Sequence, residues 1–358
     1  IFIKVCVYAI SKNEEKFVKR WYNSMKEADK IYVLDTGSSD KTVDILKELG
    51  VTVKQEVLKP FRFDTARNKS LEMIDDDMDI CVCTDIDEVF EEGWRKKLEE
   101  AFKPGVTRVA YTYNWSLDEK NRPVVSFYLD NAHLNKMYKW THPVHEVLTC
   151  LGKENRVIRE DIVLDHYPDS TKSRSSYLPL LEMSVKEDPE DDRNTHYLGR
   201  EYMYYKMWNK AIETLKRHLS LKKATWKDER CASMRFIGRC YKNLGKRKEA
   251  LKWYLKALDE APHLKEPYGE IGLYYYEDED YETALDYFLK ALKIDKGYKS
   301  YITEYFCTDF YLDDLISVCL YNLGRYKDAL VYVDLALEIE EDERILNNKR
   351  LILKKLKS

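Results

Sequence analysis

A chain of 358 residues is long enough for two domains, each with its own core. Lysine and arginine number 60 against 64 aspartates and glutamates, a net charge of −4 that argues against a general nucleic-acid binder. No apolar run approaches the ~20 residues needed to span a membrane.

In chain order, residues 1–10 read as a strand, and Ser11-Lys12-Asn13-Glu14-Glu15 as a polar turn into a helix carrying Phe17, Val18, Trp21 and Met25 at helical spacing. Ile31–Leu34 is a second buried strand ending in a carboxylate, Asp35. Residues 36–42 then turn into an amphipathic helix over Val43–Leu49, with Ser39 or Asp40 as N-cap. Val51–Val57 gives a third strand, and Ala66-Arg67-Asn68 opens the next helix. Ile80–Cys83 is a short apolar strand that runs into Asp85, Asp87 and Glu88. Cys81 and Cys83 lie within it, and no cysteine pair has zinc-ribbon spacing. Core thiols in a reduced, cytoplasmic compartment are therefore expected. No signal peptide is visible, though the chain starts at Ile1, which leaves a clipped leader open.

Strands alternating with helices predict a largely parallel sheet, whose strand ends form a ligand-binding rim. Ser11, Asp35, Asp85 and Asp87 all fall at that rim. Arg67 is placed to reach the same site and pair with phosphate. Asp-x-Asp oxygens suit Mg²⁺ or Mn²⁺, ions that one diphosphate could share. Each residue alone has a plainer reading, as a turn or surface residue; their joint order favours a nucleotide site.

Four segments in sequence, 11–15, 33–42, 63–68 and 84–88, resemble family 2 glycosyltransferases. The resemblance implies a GT-A fold and binding of a UDP-sugar. Asp35 would recognise the base, Arg67 would sit near base or phosphate, and Asp85 and Asp87 would hold ribose and metal-bound diphosphate. Further on, strands are expected over Val106–Trp115, Val124–Tyr128 and Ile162–Leu164, with a turn at Asp118–Asn121. Val144-His145-Glu146 resembles an element of the repeat-bearing branch of that family, and His166 resembles the late histidine that completes its metal site. For His166 the competing reading is a strand-end histidine bonded to backbone. Glu146, set between Val144 and Val147 in an apolar stretch, requires a partner to be tolerated. It is the expected base, on a strand where His145 would point to the opposite face.

From Asp191 onward the chain is helical and rich in tyrosine. Gly199, Gly238 and Gly272 each precede an alanine (Ala211, Ala250, Ala284) by 12 positions, and Ala250 to Ala284 is 34, the tetratricopeptide period. Ala211 to Ala250 is 39 and Ala284 to Ala329 is 45, which implies insertions of 5 and 11. The last repeat, with Ile316, Leu320, Ala329 and Ala336, matches least well. Stacked helix pairs present a concave surface suited to peptides.

The expected architecture is α/β: a GT-A domain at 1–169 with a mixed, largely parallel sheet flanked by helices, a connector at 170–190 with a helix from about Ser175 to Val185, and an all-α tetratricopeptide solenoid at 191–358. The expected activity is metal-dependent, inverting transfer of a hexose to a Cys or Ser/Thr side chain of a peptide or protein acceptor held partly by the repeats. The pattern resembles the sublancin-type peptide S-glycosyltransferases. A homodimer is left open. The alternatives are a transferase of cell-surface glycan biosynthesis, or a repeat scaffold with a dead sugar site.

Overall fold

The computed structural model describes residues 3–171, 177–294 and 300–357. The chain divides into two compact units: the first runs to Ser184 and also takes in Ser300 and Tyr301, and the second opens at Val185 and resumes at Ile302.

In the first unit, β1 (Val5–Ser11), β2 (Lys30–Asp35), β3 (Thr52–Gln55) and β4 (Ile80–Cys83) are parallel, in the order β3-β2-β1-β4. The sheet continues through β7 (Pro123–Leu134), β6 (Arg108–Leu117), β10 (Arg156–His166) and β5 (Glu88–Phe90), giving eight strands. β7 runs antiparallel to both β4 and β6, β10 is parallel to β6, and β5 is antiparallel to β10. The sheet is therefore mixed, with a parallel half built first.

Strand alternation explains why β1 is buried on both faces over Val5–Ala9. Val5, Val7 and Ala9 join one core with Trp21, Trp94 and Tyr111, while Cys6 and Tyr8 join a second core with Cys81, Tyr138 and Trp140. The first core is closed by α1 (Val18–Met25) and α4 (Trp94–Ala101), whose Val18, Trp21, Met25, Trp94 and Leu98 are buried. The second lies beneath a separate hairpin, β8 (Tyr138–Thr141) and β9 (Val147–Cys150).

Some boundaries differ from expectation. β1 runs on through Ser11, and β3 is only four residues long. β10 spans 11 residues where three were expected, because its first half pairs with β6 while staying mostly exposed and so lacks an apolar run. α2 (Thr42–Glu48) has Lys41 at its N-cap position. Asp40 nevertheless accepts the Thr42 N–H at 3.0 Å, satisfying one of the helix's unpaired donors; Ser39 does not cap it. The connector helix is α5 (Tyr177–Glu187); its expected start at Ser175 lies outside the described residues. All eight cysteines are free thiols.

The second unit stacks helix pairs: α6 (Asp192–Tyr204) with α7 (Trp208–Ser220), α8 (Lys227–Asn243) with α9 (Arg247–Glu260), α10 (Lys265–Glu277) with α11 (Tyr281–Leu292), and α12 (Asp309–Asn322) with α13 (Tyr326–Ile339). α14 (Glu343–Lys357) packs against α13 and buries Ile345 and Ile352. The repeated glycine has a steric cause. A Cβ at Gly199 would lie 2.5 Å from Leu215, and one at Gly238 or Gly272 would lie 2.4 Å from the ring of Tyr254 or Phe288. In all three pairs the bulky residue follows its glycine by 16 positions. In the fourth repeat those positions hold Ser317 and Val333, both buried, so a larger residue on one helix accompanies a smaller one on the other. That exchange is why the last repeat reads poorly from sequence. Among the described residues, no helix is long and apolar enough to cross a membrane.

Candidate active site

The C-terminal ends of β1 and β2 are tied together by polar side chains. Asp35 is fully buried; it accepts hydrogen bonds from the Ser11 hydroxyl at 2.8 Å and from the Gly37 and Ser38 backbone N–H groups at 3.1 and 2.9 Å. The turn it organises needs Gly37, whose φ is +113°. Asn13, itself left-handed at φ 55°, donates its backbone N–H to the Ser38 hydroxyl and accepts the Ser39 N–H, each at 2.8 Å. Asp35 and Ser11 thus shape the rim here by bonding to it.

α3 (Phe63–Leu71) holds the hairpin over the sheet end. Asn68 donates its side-chain N–H to the Trp140 carbonyl at 2.9 Å and accepts the Trp140 N–H at 2.8 Å, serving as a strand partner for β8. The Phe63 N–H is donated to the Pro143 carbonyl at 2.9 Å. One position before Asn68, Arg67 sits 5.2 Å from the Trp140 ring and reaches both loops. Its guanidinium donates to Asp85 at 2.9 Å, to the Cys83 sulfur at 3.2 Å and, through Nε, to Glu146. Arg67 and Glu146 side chains are 9% and 11% exposed, against 46% for Asp85. The motif Ala66-Arg67-Asn68 therefore couples two jobs, one residue gripping the hairpin and its neighbour joining Asp85 to Glu146.

The partner that Glu146 required is thus Arg67. The expected strand setting for His145-Glu146 is not observed: both lie in the turn between β8 and β9, and His145 has φ +49°. Pro143 cannot donate to a ladder, and the left-handed His142 and His145 turn the chain back. Alternating strand faces consequently do not separate the two side chains. The His145 ring instead lies 5.8 Å from that of Tyr177, on α5.

At the other acidic position, Asp87 Oδ2 lies 3.4 Å from His166 Nε2, brought together by the β5–β10 pairing. His166 Nδ1 is 2.9 Å from the Trp115 carbonyl, so Nδ1 donates the proton and Nε2 faces Asp87. Burial alone would lower the His166 pKa; the hydrogen bond and charge of Asp87 prevail and raise it to about 9. The backbone-bonded reading of His166 is thus observed at one ring nitrogen, while the other lies beside the Asp87 carboxylate. The Tyr167 N–H is donated to the Asp87 carbonyl at 2.8 Å.

Once Nε2 gives up the proton that Asp87 stabilises, this carboxylate oxygen and imidazole nitrogen would form a donor set that fits a divalent ion such as Mg²⁺ or Mn²⁺. Among the described residues, no group of three or more His, Cys, Asp and Glu is arranged around a metal position. Further ligands would have to come from a diphosphate and water.

Glu88 follows Asp87 directly in the same acidic motif. It is buried and accepts the Asp85 N–H at 2.8 Å. Burial, then the nearby Asp85 charge, push it up to about 8. It fixes the Asp85 backbone. The signal available in sequence was its adjacency to Asp87 and its place at the start of Glu88-Val89-Phe90.

Comparison with known proteins gives no match among curated proteins. Among solved structures, the chain is similar to MamA protein (TM-score 0.35, 20% identity, covering 46% of this chain and 81% of that one). It is also similar to YrrB, described as a TPR protein with an unusual peptide-binding site (TM-score 0.36, 16% identity, 49% and 83% covered). A third is MamA 41-end from Desulfovibrio magneticus RS-1 (TM-score 0.36, 16% identity, 46% and 85% covered). Residues 236–264 and 266–298 match the tetratricopeptide repeat model, and residues 6–150, which run from the second residue of β1 to the end of β9 and hold every acidic residue of the Arg67 cluster, match Glycosyl transferase family 2.

Proposed function

We propose that the chain is a metal-dependent, inverting glycosyltransferase that moves a hexose from a UDP-sugar to a Cys or Ser/Thr side chain of a peptide or protein acceptor. The observation that carries this reading is the pair of acidic positions at one sheet end, Asp85 held by buried Arg67 and Asp87 facing His166, within the region matching family 2. Ser11 and Asp35 form the nucleotide end of the rim, and Asp87 with His166 would hold Mg²⁺ or Mn²⁺. A bound divalent ion supplies charge neutralisation to the departing diphosphate.

In the transfer, the acceptor sulfur or oxygen forms a bond to the anomeric carbon as the carbon–oxygen bond to the diphosphate breaks. The leaving electron pair departs with UDP, and the acceptor proton passes to a base. Glu146 is assigned that proton, with His145 as the competing residue. The ion pair with Arg67 gives Glu146 a second task, because it holds the guanidinium that orients Asp85.

The repeat unit suits a peptide or protein partner better than a lipid-linked glycan, since stacked helix pairs offer a continuous groove. Incubation with a panel of UDP-sugars and candidate peptides, read by mass spectrometry, tests the assignment. A hexose mass added to Cys or Ser/Thr supports it; transfer to glycan alone favours cell-surface biosynthesis. A thermal-shift series with UDP and Mn²⁺ separates both from a dead scaffold, which would show no metal-dependent shift.

A further inference from the structure

The 11-residue insertion between the third and fourth repeats includes a strap, Glu304 followed by the 3₁₀ turn Tyr305–Cys307, which packs against α10 and α12 and reaches α8 through Glu304. Glu304 makes a two-pronged contact with Arg239, at 2.9 and 3.0 Å, and also pairs with Arg235. Both arginines are on α8, one turn apart, and Arg235 is fully buried. Glu270 on α10 accepts a hydrogen bond from Arg239 Nε at 2.6 Å. Phe306 lies 5.3 Å from the Arg239 guanidinium, so the strap offers both a carboxylate and an aromatic face to the same cation.

Two features distinguish this site from the rest of the helix packing. Among the described residues, Nε and Nη2 of buried Arg235 find no hydrogen-bond partner, whereas buried donors are almost always satisfied. The strap therefore fills the site incompletely. Second, α10 carries a mid-helix glycine under the strap: a Cβ on Gly269 would lie 2.3 Å from Cys307 Sγ and 2.9 Å from the Phe306 ring. Glycine disfavours a helix, and here its effect is to leave room for the 3₁₀ turn Tyr305–Cys307.

We propose that the groove over Arg235, Arg239 and Gly269 is a recognition site for an acidic–aromatic segment of a peptide partner, with a carboxylate two residues before an aromatic ring. Glu304–Cys307 occupies it as an internal competitor until such a partner displaces it. A carboxylate is specified by the paired arginines, and an aromatic by the slot that Phe306 fills. An acceptor for the unpaired N–H groups of Arg235 would be a gain available to a partner and not to the strap. The inference concerns binding by the repeat unit and stands apart from sugar transfer.

The test is binding of a fluorescent hexapeptide copying 304–309, Glu-Tyr-Phe-Cys-Thr-Asp, to the full chain, read by anisotropy without nucleotide or metal. Occupancy by the strap reduces apparent affinity by the fraction of open groove. The double variant Glu304→Gln/Phe306→Ala, which loosens the strap but keeps the arginines, is expected to bind at least about 10-fold more tightly than wild type. Adding Arg239→Ala should abolish that gain, and a peptide with Gln in place of its Glu should bind neither form. Glu304→Gln alone is the second, milder route and should gain affinity in the same direction, whereas Gly269→Ala placed in the double variant should cancel the gain, because its methyl meets the peptide's own Phe and Cys as it meets those of the strap. Equal binding by wild type and both strap-loosened forms (Glu304→Gln and Glu304→Gln/Phe306→Ala), no binding by any of them, or a gain that survives Arg239→Ala or Gly269→Ala overturns the proposal.

Discussion

At the scale of single residues, the site depends on a few charges with unequal burial. Arg67 is the most exposed to mutation in energetic terms, because removing it leaves the largely buried Glu146 without its cation. Arg67→Ala should cost about 3–5 kcal/mol in unfolding free energy, measured by denaturant titration, and Arg67→Lys should recover only part of it. A lysine cannot reach Asp85, Glu146 and Cys83 from one planar fork. Asp87 is different, being at a strand end and contributing little to the core. Asp87→Ala should leave the melting temperature nearly unchanged while lowering transfer by at least about 100-fold, and EDTA should mimic it. Full activity in EDTA would remove the metal from the proposed function. Glu146→Gln should lower turnover by roughly 10²–10⁴-fold if it takes the acceptor proton, with UDP binding retained. Wild-type transfer in that variant, with loss in His145→Ala, would hand the role to the histidine.

At the scale of elements, the hairpin β8–β9 and helix α3 form one device. Asn68 supplies two hydrogen bonds to Trp140, each with a net value of about 0.5–1.5 kcal/mol. Asn68→Ala is therefore expected to destabilise the first unit by about 1–3 kcal/mol. It should also lower transfer, since the hairpin carries Glu146; unchanged kinetics in a folded Asn68→Ala protein would separate the hairpin from the chemistry. The repeats give a matching case in which packing is the whole explanation. Gly238→Ala would drive a methyl to 2.4 Å from the Tyr254 ring, an overpacking cost of about 1–3 kcal/mol despite better helix propensity. Pairing it with Tyr254→Leu should recover part of the loss, which thermal denaturation of the double variant would reveal.

At the scale of the whole molecule, buried histidines make stability depend on pH in both units. Burial holds His196, in the repeats, down at about 3, and His133, in the first unit, down at about 4. Unfolded histidine titrates near about 6.5. Below that value the unfolded chain binds a proton that the folded chain refuses, so the stability contribution is complete above pH ~6.5 and is lost as pH falls toward the folded values. The slope is about 1.4 kcal/mol per pH unit per histidine, or about 2 kcal/mol each by pH 5. Urea unfolding at pH 7, 6 and 5 would measure it, and His196→Asn should flatten the fall in the repeat unit. The hydrogen-bonded line from His196 through Ser233 to His218 and Glu229 makes this a structural linkage, with every member buried.

The sequence by itself determined the features set by local chemistry and by period. Apolar runs located β1, β2 and β4. The acidic residues after them identified the rim, and glycine–alanine spacing identified the helix pairs of the second unit together with the site of the 11-residue insertion. These signals survive because burial of strand faces and close helix approach each constrain residue type at fixed intervals. Tertiary structure decided what depends on contacts far apart in sequence. Arg67 was legible as a phosphate-side cation, but its bond to Glu146, 79 positions later, was not, because ion pairing leaves no periodic trace. The same holds for Asn68 acting as a strand partner to Trp140 and for the turn that takes His145 out of strand geometry. Glu304 was only part of an insertion until folding placed it between Arg235 and Arg239. A charge's neighbours are set by the path of the chain in space, and that path is a property of the fold.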